Sequence, residues 1–103
     1  MTRRRIVFVD KNTGKTYITE EFNGDKEEFW NFRMGDICNM YWKEILDNYF
    51  SNIKTLEEFK IANDKAQREY ISNITGESTI LPIKEIENID YYKNTYGDNL
   101  YFV

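Results

Sequence analysis

A chain of 103 residues has room for one hydrophobic core rather than two, and 41% apolar, 17% aromatic and 31% charged residues are the mixture of a folded domain. A net charge of -4 argues against sequence-independent DNA binding, and the absence of histidine removes Ser-His and Cys-His nucleophile pairs together with histidine-ligated metal sites. One cysteine excludes an internal disulfide and points to a reducing, cytoplasmic setting; the longest apolar runs, "IVFV" and "LYFV", are far below the roughly 20 residues of a membrane span, and "MTRRRIVFV" lacks the apolar stretch of a signal peptide.

The first element is predicted from "RIVFVD", which with "KTYITEEF" reads as a β-hairpin around a polar turn in which Gly14 supplies the left-handed residue. Ile6 and Phe8 fall on one face of the first strand, Val7 and Val9 on the other. Such a strand needs cover on both faces or a central place in a sheet. The second strand is mixed in polarity and reads as more exposed.

"NGDKEEF" follows, where Asp25 and Glu28 have the spacing of a capping box. At 100° per residue, Trp30, Met34, Ile37, Cys38, Tyr41, Ile45 and Tyr49 form one apolar stripe, opposite Asp36, Asn39, Lys43 and Asp47, on a helix from about Lys26 to Asp47. Gly35 either admits a close neighbour within one continuous helix or divides two shorter ones. A second helix starts at Thr55, with Glu58 completing a capping box, and carries Leu56, Phe59, Ala62, Ala66 and Tyr70 inward as far as Thr75-Gly76. Ala62 and Ala66 favour close approach of the two helices, which a short loop makes antiparallel.

Beyond Gly76, Pro82 argues against a central strand, and Ile83, Ile86 and Ile89 at intervals of three fit a short helix or irregular packing. "YYKNTYGDNLYFV" reads as a second hairpin turning at Gly97, Asp98 and Asn99. The expected architecture is a single α+β domain spanning 1–103: an N-terminal β-hairpin, two antiparallel helices and a C-terminal β-hairpin, with a small antiparallel sheet packed on one side by the helices.

No residue set stands out as catalytic, cofactor-binding or metal-binding. Cys38 lies on an apolar stripe, without the cationic or exposed setting that makes a thiolate. The adjacent pairs Glu20-Glu21, Glu27-Glu28 and Glu57-Glu58 do not converge on one point, and two of them sit where helix starts favour acids. "DKNTGK" lacks both the spaced acids of an EF-hand and the pattern of a P-loop.

Charge is unevenly placed. Arg3, Arg4, Arg5, Lys11 and Lys15 against Asp10 make residues 1–19 positive by 4, whereas Glu20, Glu21, Asp25, Glu27 and Glu28 against Lys26 make residues 20–28 negative by 4. Two alternative binding surfaces follow. One joins Glu20, Glu21 and Glu27 to the tyrosines Tyr91, Tyr92, Tyr96 and Tyr101, tyrosine being enriched at interfaces. The other joins Arg3, Arg4 and Arg5 to Tyr17 and would meet phosphates, although an arginine run beside an edge strand is more often a solvated flank.

In its small size, acidity and lysine-, asparagine- and isoleucine-rich composition with a single proline, the chain resembles the single-domain proteins that phages make to inhibit host enzymes, anti-CRISPR proteins among them. That resemblance implies a non-enzymatic inhibitor whose partner is a host protein, such as a nucleic-acid-processing complex, with the acidic segment opposing a basic groove. A homodimer is compatible with it. A small nucleic-acid-binding accessory protein using the N-terminal arginines is the alternative.

Overall fold

A computed structural model describes residues 3–23, 38–71 and 80–103. The strand β1 (Arg3–Val9) turns into β2 (Thr16–Thr19), and a short β3 (Phe22–Asn23) follows. Helices α1 (Cys38–Phe50) and α2 (Leu56–Ala66) come next, α2 running on into a single π-helical turn, Gln67–Ile71. The chain then forms β4 (Ile83–Ile86), helix α3 (Ile89–Tyr96), a 3-10 turn at Gly97–Asn99 and β5 (Leu100–Phe102). The class is α+β, as expected.

The hairpin forms because its turn is stapled twice. The Asp10 carboxylate accepts the N–H groups of Asn12 and, at longer range, Thr13. The Gly14 N–H bonds to the Asp10 carbonyl at 2.8 Å, and φ +75° at Gly14 turns the chain so that the Lys15 carbonyl accepts the Asp10 N–H at 2.8 Å. β1 then pairs antiparallel with β2 through Val7↔Ile18 and Val9↔Thr16, and with β3 through Arg4↔Phe22. The register slips by one residue between these pairings, the offset of a β-bulge. Thr19 fills the irregularity: its buried Oγ1 accepts the N–H of Ile6 at 3.0 Å and donates to the Glu20 carbonyl.

Four expectations for the sheet are corrected. β5 is no hairpin partner of the segment before it; it pairs parallel with β1 through Arg5↔Leu100, Ile6↔Tyr101 and Val7↔Phe102, so the sheet is mixed. Residues 89–96 are helical because Asn88 caps them, accepting the N–H of Asp90 at 2.9 Å, and because Ile89, Tyr92 and Tyr96 share one helical face. β2 is flanked by β1 and β4, with Ile18 and Thr19 buried, rather than exposed. Residues 83–86, expected to be a short helix or irregular, instead pair with β2 as β4, which lies at the end of the sheet, so that the preceding Pro82 enters no central strand.

The expected two-sided cover of β1 is present, whereas the expected placing of all helices on one side is not. Ile6, Phe8 and Tyr101 meet α1 and α2 through Trp42, Leu46, Phe50, Phe59, Ala62 and Ala66. Rings dominate this core: Phe8 stacks on Phe59 at 5.1 Å, and Phe50 lies 5.7 Å from Phe59 and 5.8 Å from Tyr101. On the other face Val7, Ile18 and Leu100 are covered by Ile86 and by Ile89, Tyr92 and Tyr96 of α3.

The helix α2 follows its sequence signals closely. Thr55 accepts the Glu58 N–H while Glu58 Oε1 accepts the N–H groups of Lys54 and Thr55. For α1 the inward row is Trp42, Leu46 and Phe50, with Ile45 and Tyr49 half-buried at its edge, so the expected stripe is rotated away from the true one. Trp30, Met34, Gly35, Ile37, the Asp25/Glu28 cap and Thr75-Gly76 lie outside the described residues, as do the side chains of Cys38 and Tyr41.

Candidate functional site: the aromatic face of helix α3

Strand alternation splits the arginine triplet. Arg4 points with Ile6 and Phe8 into the main core, where it is fully buried with its guanidinium carbon 4.8 Å from the centre of the Trp42 ring. Arg3 and Arg5 point to the opposite face, towards α3. Tyr17 packs against Phe8 on the Arg4 side. The four residues expected to meet phosphates therefore do not share a surface, and the arginines are not a solvated flank: Arg3 is exposed, whereas Arg5 is only 8% exposed.

Arg5 is held by aromatic faces and one carboxylate. Its guanidinium carbon lies 5.2 Å from the centre of Tyr92 and 5.1 Å from that of Tyr96, rings that are nearly parallel and 6.3 Å apart. Glu21 supplies the counter-charge, 3.8 Å from Arg5 and 3.5 Å from Arg3, and accepts the Tyr96 hydroxyl at 2.5 Å. Burial and the hydrogen bond to Glu21 push the Tyr96 hydroxyl pKa upward, against the pull of Arg5. Lys84 Nζ, from β4, lies 6.0 Å from the Tyr92 ring.

Of the residues expected to bind a partner, this arrangement brings together Glu21, Tyr92 and Tyr96, with Tyr91 beside them. Glu20 is exposed, and its N–H bonds to the Pro82 carbonyl. Glu27 lies outside the described residues. Tyr101 belongs to the other face: 7% exposed, it tilts against Trp42 and donates its hydroxyl to Asp47. Glu21, expected to face a partner, is committed to Arg3, Arg5 and Tyr96.

Of the α3 tyrosines, Tyr91 is the one left exposed. It is 62% exposed, and its ring meets Tyr92 edge-on at 5.1 Å and 89°, so the orientation of the exposed ring is set by one that is packed. On the opposite flank of α3, Lys93 Nζ lies 5.8 Å from the half-exposed ring of Phe102. The sequence groups Phe102 with these tyrosines in one aromatic patch, half of which is expected to face solvent, and Phe102 is on the exposed half. The parity of β5 places it there: with Leu100 facing the α3 side, Phe102 falls on that face too, at the margin of the helix's cover.

Among the described residues no group of three or more His, Cys, Asp or Glu could hold a metal ion. No helix among them is long and apolar enough to cross a membrane. No family model, no curated protein and no solved structure matches this chain.

Proposed function

We propose that this protein is a small non-enzymatic inhibitor that binds a host protein, and that α3 with its flanking rings is the contact surface. The observation that carries the reading is Tyr91: a large ring, mostly exposed and oriented by Tyr92, on a helix whose other tyrosines are locked by Arg5 and Glu21. Pre-oriented tyrosines lose little conformational entropy on docking and are frequent binding hot spots. Phe102 beside Lys93 extends the surface along the other flank.

The reading shifts the weight from acids to aromatics. Glu21 is neutralised by Arg3 and Arg5, which leaves Glu20 as the exposed described acid of the proposed acidic segment. Imitation of a phosphate run is therefore less well supported than aromatic docking. Compatible targets remain the host nucleic-acid-handling or defence enzymes named by the compositional resemblance.

The test is affinity purification of the tagged chain from its host, with Tyr91→Ala and Lys65→Ala in parallel. A stoichiometric partner should be retained by the wild type and Lys65→Ala, and lost by about tenfold or more in Tyr91→Ala, the loss expected of a hot-spot ring. Equal retention by all three would overturn the assignment of the surface.

A further inference from the structure

We propose that a second site, a cleft between the β1–β2 turn and the α1–α2 loop, binds a small organic carboxylate with an apolar body. The cleft has a volume of about 480 Å³, and neither of the two loops that form it belongs to the α3 face. Phe8, Phe50 and Ile53 give it an apolar wall, and Lys11, Asn52 and Lys54 bring polar groups to it from two separate turns. Small-molecule sites have this division, an apolar body with a few convergent polar groups that fix orientation.

Both lysines stand on backbone that is already fixed. Lys11 sits in the turn stapled by Asp10 and Gly14. Lys54 precedes the α2 cap, its own N–H bonded to Glu58 at 2.8 Å. Between them Asn52 holds a left-handed conformation, φ 62°, which asparagine tolerates better than most residues.

The acids beside these lysines make their hydrogen bonds to backbone amides rather than to the ammonium groups. Asp10 spends its carboxylate on the amides of Asn12 and Thr13, and Glu58 spends its own on the amides of Lys54 and Thr55. Among the described residues neither lysine ammonium enters an ion pair within 4.0 Å. Lys11, together with Lys54, whose charge also acts on Glu58, stands over an aromatic and aliphatic wall, a combination that complements an anion whose remainder is apolar, such as an aryl carboxylate.

The experiment is an amide NMR titration of the full chain with 1-naphthoate, with the neutral 1-naphthalenemethanol as control, repeated on Lys11→Met combined with Lys54→Met, which keeps both aliphatic stems. Naphthoate should give saturable shifts centred on Asn12, Asn52, Ile53 and Lys54, and both the alcohol and the double variant should bind about tenfold or more weakly, the loss expected when charge complementarity is removed. Equal binding by acid and alcohol, undiminished binding by the folded double variant, absence of saturable shifts, or shifts centred on α3 would each overturn the proposal. Amide spectra identify a misfolded variant, and in that event the acid-to-alcohol comparison on the wild type decides alone. The outcome is independent of the Tyr91 test.

Discussion

Arg5 and Glu21 face one another at 3.8 Å, one on the central strand and one on the connection between β2 and β3, with the Tyr96 hydroxyl closing the group from α3. Three segments distant in sequence are tied at one carboxylate. Arg5 is nearly buried, so loss of its partner would leave a desolvated cation uncompensated.

Glu21→Gln should therefore destabilise the fold by about 1 to 3 kcal/mol, the range for losing charged hydrogen bonds and a partly buried pair. Glu20→Lys, at an exposed position, should change stability by less than about 0.5 kcal/mol. Denaturant melts of the two variants check both. A Glu21→Gln protein as stable as the wild type would show that Tyr92 and Tyr96 alone hold Arg5.

Tyr101 sets the alkaline limb. Burial, then the hydrogen bond to Asp47 and its charge, raise the phenol well above its ordinary value of 10. The folded state thus keeps a proton that the unfolded chain releases, so this contribution is fully present below pH 10 and is lost as pH rises above it. Tyr96 and Tyr49, also raised, act in the same sense. Stability measured by denaturant midpoint should fall above pH 10, and Tyr101→Phe should make that fall shallower while costing about 1 kcal/mol at neutral pH. An unchanged alkaline slope in Tyr101→Phe would contradict the assignment.

Thr19 tests the bulge. Thr19→Val keeps the shape but removes the oxygen that accepts the Ile6 N–H, leaving a buried donor without its partner. The expected cost is about 1 to 3 kcal/mol. Faster exchange of the Ile6 amide in the variant would localise the effect, and wild-type protection there would refute it.

Legibility in the sequence follows the range of the interactions. The cap at Thr55 and the row Phe59, Ala62 and Ala66 were readable because a capping box and a 3.6-residue period are local. The first hairpin was readable for the same reason. The C-terminal segment misled because its tyrosines mimic strand alternation, although Asn88 and the spacing of Ile89, Tyr92 and Tyr96 carried the helical signal. Parallel pairing of β5 with β1 joins opposite ends of the chain, and no local pattern encodes it. The burial of Arg4 and Arg5 was hidden likewise, since the rings that receive them, Trp42, Tyr92 and Tyr96, come from far downstream. For the site, the tyrosines of α3 and Glu21 were visible as residues. Which of them are spent on packing, and that Tyr91 is left over, depended on the fold.

The assignment of α3 as the contact surface is tested most directly by hydrogen exchange on the purified complex. Residues 89–99 should gain protection on binding, together with loss of solvent access at Tyr91, while Leu56–Ala66 should exchange as in the free protein. Protection confined to Leu56–Ala66, with residues 89–99 unchanged, would contradict the account.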